Sequence, residues 1–114
     1  MKLTRGGTMY DQRDIVIIPF PYTDLTGAKN RPALIISNEK LNKTEDKICC
    51  LITSNSPKEG IVIDETEGSG LPFKSWVKPH RLFTINERII KKRICKVSLR
   101  YHKKIIVAVN DFIK

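Results

Sequence analysis

The side chains in this sequence best suited to metal binding or nucleophilic attack are two histidines, His80 and His102, and three cysteines, Cys49, Cys50 and Cys95. Their spacing argues against both roles. Neither histidine has a carboxylate or cysteine at ligand spacing, and neither Cys-x-x-Cys nor His-Glu-x-x-His occurs, so no metal site and no resident cofactor is expected. A glycine-rich phosphate loop is also missing. Adjacent Cys49 and Cys50 alternate across a strand, which sends one to a core and one outward and suits packing better than thiol catalysis. Charge is the stronger signal. Residues 1–73 carry 9 Lys/Arg against 10 Asp/Glu, whereas residues 74–114 carry 12 against 2, and the whole chain stands at +9. Such an imbalance points to an anionic partner, with nucleic acid ahead of a membrane because no large amphipathic anchor is evident. Lys91-Lys92-Arg93 is the densest basic run, either a path for flanking nucleic acid or a solvated hairpin.

The elements that must carry these residues are mostly strands. The 114 residues, 40% apolar and 29% charged, suit a single domain spanning 1–114. No segment offers the ~20 apolar residues of a membrane helix. No apolar stretch follows Lys2 and Arg5 as a secretory signal would require, so residues 1–12 read as a flexible leader. Three cysteines without a framework pattern suit a reducing cytoplasm. The β-branched run Asp14–Phe20 is a strand whose end Pro19 pushes toward an edge or bulge. A polar loop, 21–30, leads to a second strand beginning at Arg31-Pro32 and running to Ser37. A helical turn near Asn38–Asn42 precedes a third strand, Lys47–Thr53. Further strands are expected at Gly60–Asp64, Ser75–Lys78, Arg81–Ile85 and Arg93–Val97, with an acidic, glycine-rich loop at 65–72. Ser98 caps a final helix with Leu99, His102, Ile105, Ile106, Val109, Phe112 and Ile113 at helical spacing. The pattern predicts a mainly β chain, a small closed barrel capped by a C-terminal amphipathic helix.

Four blocks carry a resemblance that covers about residues 13–97. Asp14-Ile-Val-Ile-Ile-Pro-Phe-Pro-Tyr-Thr-Asp-Leu-Thr-Gly27, then Lys29-Asn-Arg-Pro-Ala-Leu-Ile-Ile-Ser37, then Leu51-Ile-Thr-Ser54, then Gly70-Leu-Pro with Ser75-Trp-Val and Arg81-Leu-Phe-Thr-Ile85, resemble the MazF/PemK toxins. The resemblance implies an SH3-like barrel, a homodimer, and metal-independent, sequence-selective cleavage of single-stranded RNA. It also implies a type II toxin-antitoxin pair, in which the cognate antitoxin lays an acidic tail across the toxin's RNA groove; DNA would be met only through the antitoxin. By this match the family's catalytic arginine before proline falls on Arg31 and its catalytic threonine on Thr53. One departure is visible: the family commonly opens its first strand with Gly-Asp, and here Arg13 precedes Asp14.

Such a reaction uses the ribose 2′-hydroxyl as nucleophile and leaves a 2′,3′-cyclic phosphate and a 5′-hydroxyl. Arg31 suits the added negative charge because a guanidinium donates two parallel hydrogen bonds to phosphate oxygens. Without the resemblance it would read as one half of an ion pair at a strand start. Thr53 would donate its hydroxyl to the scissile phosphate, with Ser54 or Asn55 adding a second hydrogen bond; alone, it is an ordinary β-former at a strand end. Lys29 and Asn30 would contact backbone and base, or form a solvated turn. Arg81 is expected to contact phosphate. Trp76 and Phe20 either stack on unpaired bases or belong to the core. Two rival functions share the fold class: a CcdB-like, non-enzymatic toxin that binds DNA gyrase, and a catalytically silent RNA-binding barrel.

Overall fold

In a computed structural model that describes residues 10–21, 27–68 and 70–114, the β-branched run after Asp14 extends as β1 (Asp14–Pro21). It pairs along β2 (Ala28–Ile35), which leads through α1 (Glu39–Asn42) to β3 (Asp46–Thr53). The Asn38 side chain caps α1 by accepting the Lys40 N–H at 3.0 Å. Two short strands follow, β4 (Ile61–Val62) and β5 (Thr66–Glu67), then the long β6 (Trp76–Asn86), a 3-10 turn (Glu87–Ile89), β7 (Lys92–Val97) and α2 (Leu99–Ile113). Ser98 caps α2 as expected, its hydroxyl accepting the Tyr101 N–H at 3.0 Å.

All ladders are antiparallel and join seven strands in the order β4-β6-β3-β2-β1-β7-β5. The two edge strands are therefore neighbours in sequence, with only residues 63–65 between them. Four chain steps span at most about 14 Å, so the sheet has to curl until its edges nearly meet. Where a closed barrel was expected, the sheet is a curled half-barrel whose two edge strands are joined by the chain and not by a ladder. Two bulges supply curvature. Opposite β3, the partner shifts from Leu82 to Lys78 across Cys50/Leu51, leaving Pro79, His80 and Arg81 without counterparts. Between β1 and β7, Ile94 is the extra residue.

Several boundaries differ from the sequence reading. The segments 75–78 and 81–85 are one strand, because the β6 bulge absorbs Pro79 where a break was expected. The acidic loop 65–72 contains β5, and the strand expected at 60–64 shrinks to Ile61–Val62. β2 starts at Ala28, which makes Lys29 and Asn30 strand residues paired with Phe20 and Pro19. Pro19 itself lies beyond Ile17, where β1 has already lost β7 as a partner, so its missing N–H costs no ladder bond there. Of the leader expected at 1–12, residues 1–9 fall outside the described ones, while Gln12 donates from Nε2 to the Ile36 carbonyl at 2.9 Å.

Strand alternation fills both faces of the sheet. Ile15, Leu34, Cys50, Ile52, Val77 and Val97 pack with Tyr101, Ile105 and Val109 of α2, and Val16, Ile18, Ala33, Ile35, Cys49 and Ile85 form a second cluster on the other face. Cys49 and Cys50 are consequently both fully buried, which corrects the expectation that one faces solvent. Burial pushes both thiols up to about 12. The buried row of α2 is Tyr101, His102, Ile105 and Val109; Leu99, Phe112 and Ile113, expected in that stripe, are exposed. Tyr101 sets this rotation by donating its hydroxyl to the Ile61 carbonyl at 2.7 Å, which ties the helix to an edge strand.

Charge enters the interior at two places. Asp14 is fully buried, accepts the Asp11 N–H at 2.7 Å and faces Arg93 at 3.4 Å and Lys96 at 3.3 Å. Lys47 is fully buried too, and donates to the carbonyls of Asn42 (3.0 Å) and Thr44 (2.8 Å) and to Glu87 (3.1 Å). Arg13 adopts φ +82°, the left-handed region that favours the glycine it replaces in the family pattern. Such a conformation costs about 1–3 kcal/mol. In compensation its side chain donates to the Val97 carbonyl (3.0 Å) and to Glu67 (3.3 Å), fastening β7 and β5 to the start of β1.

His102 is buried on α2, with no hydrogen-bond partner for Nδ1 among the described residues. Burial first, and the nearby Arg13 cation second, hold its pKa below the usual 6.5. Since the unfolded chain then takes up the proton first, stability is complete above about pH 6.5 and declines as pH falls below it, by up to about 1.4 kcal/mol per pH unit. Urea titrations at pH 7.5 and 5.5 are expected to show this loss, and His102→Leu to flatten it. An equal loss in the variant would assign it to other groups.

Candidate functional site

Where β1, β2 and β3 run out beyond the part of the sheet that α2 covers, they leave a cleft of about 310 Å³. Its floor is apolar: Ile17, Pro32, Ile52 and the bulged Ile94. One wall comes from the start of β2 and the end of β3, namely Lys29, Asn30, Arg31, Thr53 and Ser54. The rest of the lining is Leu71, Pro72, Phe73 and Ser75, from the segment between β5 and β6.

Five of the six residues expected to bind or cleave RNA thus line one cleft although more than twenty positions separate Arg31 from Thr53. Register explains why. β2 and β3 pair antiparallel as far as Ala33↔Leu51, and Arg31 and Thr53 each lie two residues beyond that last pair, at the same end of the ladder. Alternation sends Pro32 and Ile52 to the helix-bearing face, so the cleft takes in the ends of the strands and reaches both rows of side chains. Arg81 is placed elsewhere. It sits exposed on the β6 bulge and does not line the cleft.

The cleft is cationic because acids are missing from it. Lys29 and Arg31 line it and no Asp or Glu does, among the described residues. Arg31 has no ion pair or side-chain hydrogen bond among those residues, which removes the bland reading of it as half of a structural pair there. The Thr53 hydroxyl oxygen accepts the Asn55 N–H at 3.2 Å, which orients the oxygen and leaves its own proton available to donate. On β7, Lys92 lies across from Ile17 of the floor and is exposed, so it extends the cationic rim. Its neighbour Arg93 is engaged by Asp14.

Both aromatic residues considered from sequence have engaged rings. Phe20 meets Phe83 edge-on at 5.4 Å beside the second core cluster, and the Lys74 ammonium lies 5.7 Å from the centre of the Trp76 ring. The residue that sequence reasoning missed is Phe73, 74% exposed in the cleft lining. Its signal was an aromatic directly after Gly70-Leu-Pro, in a loop where no strand periodicity calls for one. His80 lies exposed 5.6 Å from Phe112, and no three His, Cys, Asp or Glu side chains gather among the described residues.

Residues 11–113 match the family described as "PemK-like, MazF-like toxin of type II toxin-antitoxin system". No curated protein sequence matches the chain. Among solved structures, a MazE-MazF crystal structure from Deinococcus radiodurans superposes with a TM-score of 0.74 at 16% identity, covering 93% of this chain and 97% of that one. An endoribonuclease in complex with its cognate antitoxin, from Mycobacterial species, gives 0.72 at 17% identity over 90% and 92%. The Mycobacterium tuberculosis toxin MazF-mt6 gives 0.69 at 20% identity over 87% and 94%. At these identities the likeness establishes the curled sheet with its C-terminal helix.

With no partner to lose, Arg31→Ala is expected to leave stability within about 0.5 kcal/mol of the parent. Chemical denaturation reads this directly, and a loss of several times that size would make Arg31 a structural residue.

Proposed function

The chain belongs to the PemK-like, MazF-like toxins of type II toxin-antitoxin systems, and from that membership we propose that it is a metal-independent, sequence-selective endoribonuclease that cuts single-stranded RNA in the cleft at Arg31 and Thr53. The observation that carries this reading is that an arginine with no acidic partner among the described residues and a threonine with a donatable proton line one cleft, whose described lining has no carboxylate.

The reaction asks the protein to stabilise charge and to handle protons. The ribose O2′ loses its proton and forms a bond to phosphorus; the P–O5′ bond breaks, and O5′ takes up a proton. A 2′,3′-cyclic phosphate and a 5′-hydroxyl result. Arg31 offers the planar fork that fits two phosphate oxygens as negative charge builds on the phosphorane. Thr53 adds a hydroxyl donor to a third acceptor position, and Ser54, Lys29 and Asn30 hold the flanking backbone. Carried on a paired strand opposite Ile18 of β1, Arg31 offers the cleft a guanidinium with no competing partner among the described residues, close to where the charge develops. Arg81 falls outside this assignment.

The same cleft suits inhibition. Two of the superposing structures carry an antitoxin with the toxin, and an acidic tail with apolar residues would meet both Lys29 with Arg31 and Leu71 with Pro72 and Phe73 in its lining. The toxin acts as a homodimer in this reading, in a cytoplasm where Cys49, Cys50 and Cys95 stay the free thiols they are here.

Purified protein incubated with a long single-stranded RNA in EDTA is expected to make discrete cuts ending in cyclic phosphate and 5′-hydroxyl. Arg31→Ala is expected to slow them by about 10²–10³ or more, and Thr53→Val to slow them as well. Intact RNA from folded protein would favour a gyrase-directed toxin or a silent RNA-binding barrel. Separately, an acidic antitoxin peptide is expected to inhibit more strongly at 50 mM than at 500 mM salt, since ion pairing in an open cleft is screened. Equal inhibition at both would rule out an electrostatic clamp.

A further inference from the structure

We infer that Phe73 is the platform on which an unpaired RNA base stacks beside the phosphate held at Arg31 and Thr53. This deepens the ribonuclease reading above and rests on it. A nucleotide in a single strand has an anionic end and a flat apolar face, and the lining of the cleft holds groups suited to each. Lys29, Arg31, Thr53 and Ser54 are the polar groups; Leu71, Pro72 and Phe73 are the apolar ones.

Three aromatic residues near the cleft are described, and two of them are spoken for. Phe20 is half-buried and packs on Phe83, while Trp76 is half-buried under the Lys74 ammonium. Phe73 is the most exposed large apolar residue among those described and has no ring or cation partner there. Exposure alone would describe any mobile loop, but the backbone behind this ring is held. The buried Ser75 hydroxyl donates to the Phe73 carbonyl at 2.9 Å. Pro72 restricts the residue before it and fixes its own φ. Gly70 takes φ +76°, and a Cβ there would stand 2.9 Å from Thr66 Oγ1, so the segment passes close over β5. A ring presented to water from an anchored segment is preorganised to receive a flat partner. Stacking discriminates only weakly among bases, so Phe73 grips and positions the base, and recognition of its edge falls to neighbouring polar groups such as Asn30.

The test uses an oligonucleotide spanning a mapped cut site, with a 2′-deoxy sugar at the cut to prevent cleavage and 2-aminopurine placed in turn at the flanking positions. Wild-type protein is expected to quench the fluorophore strongly at one position. Phe73→Leu keeps apolar bulk but removes the π face; it should abolish that quenching and weaken binding roughly ten- to a hundredfold. On cleavable RNA, KM should rise by the same factor with kcat unchanged at saturation, and the melting temperature should not move. Phe73→Trp should restore quenching and affinity. If Phe73→Leu binds and quenches like the wild type, or Phe73→Trp fails to rescue it, Phe73 is no platform, and the ribonuclease reading survives. Wild-type protein that neither binds nor cuts RNA would overturn both.

Discussion

A carboxylate withdrawn from water, that of Asp14, governs the assembly of the sheet. Left alone in such a place it would cost several kcal/mol; an Asp11 N–H and two cations of β7 make the position tenable. The pairing fixes how β7 lies along β1, and much follows from that register. Ile94 is forced out as a bulge and becomes part of the cleft floor. Val97 arrives where the Arg13 guanidinium can reach its carbonyl, and Ser98 is delivered to start α2. A left-handed arginine next to a buried aspartate is then a compact solution: the backbone strain is local, while the side chain it frees holds two strands.

The cleft's electrostatics depend on where the acids are. Asp14, Glu45, Glu65, Glu67, Glu87 and Asp111 all form ion pairs, and none lines the cleft. Lys29 and Arg31 keep their effect because no carboxylate among the described residues shares the cleft with them. The basic C-terminal third, the loudest feature of the composition, contributes only Ser75 and Ile94 to the lining of the cleft itself, and no cation. Charge asymmetry along the sequence pointed to an anionic partner, while the cations lining the cleft come from the other stretch of chain.

Other features were legible to different depths. The long β-branched runs and the Ser98 cap identified β1, β3 and α2 closely, because burial and capping leave patterns within a few neighbouring residues. Arg31 and Thr53 were legible only as parts of matched motifs; what brings them into one cleft is the antiparallel pairing of β2 with β3, which no local pattern encodes. The burial of both Cys49 and Cys50 was hidden for a related reason, since alternation assumes one solvent face and β3 has two covered ones. β6 was read as two strands because Pro79 breaks a strand by local rules, whereas the bulge places it opposite no partner. Phe73 leaves no pattern in the sequence, because it lies in a loop with neither strand nor helix periodicity around it.

The two shortest strands have a further effect. β4 and β5 end the ladder with two residues each, on either side of a three-residue link. A curled sheet open on both sides would ordinarily offer unpaired backbone to any extended chain that met it, the usual route to edge-to-edge aggregation. Here β4 covers β6 at Trp76 and Val77, β5 covers β7 at Lys96 and Val97, and Tyr101 already occupies the Ile61 carbonyl of β4. At those places the sheet offers an incoming strand little to extend.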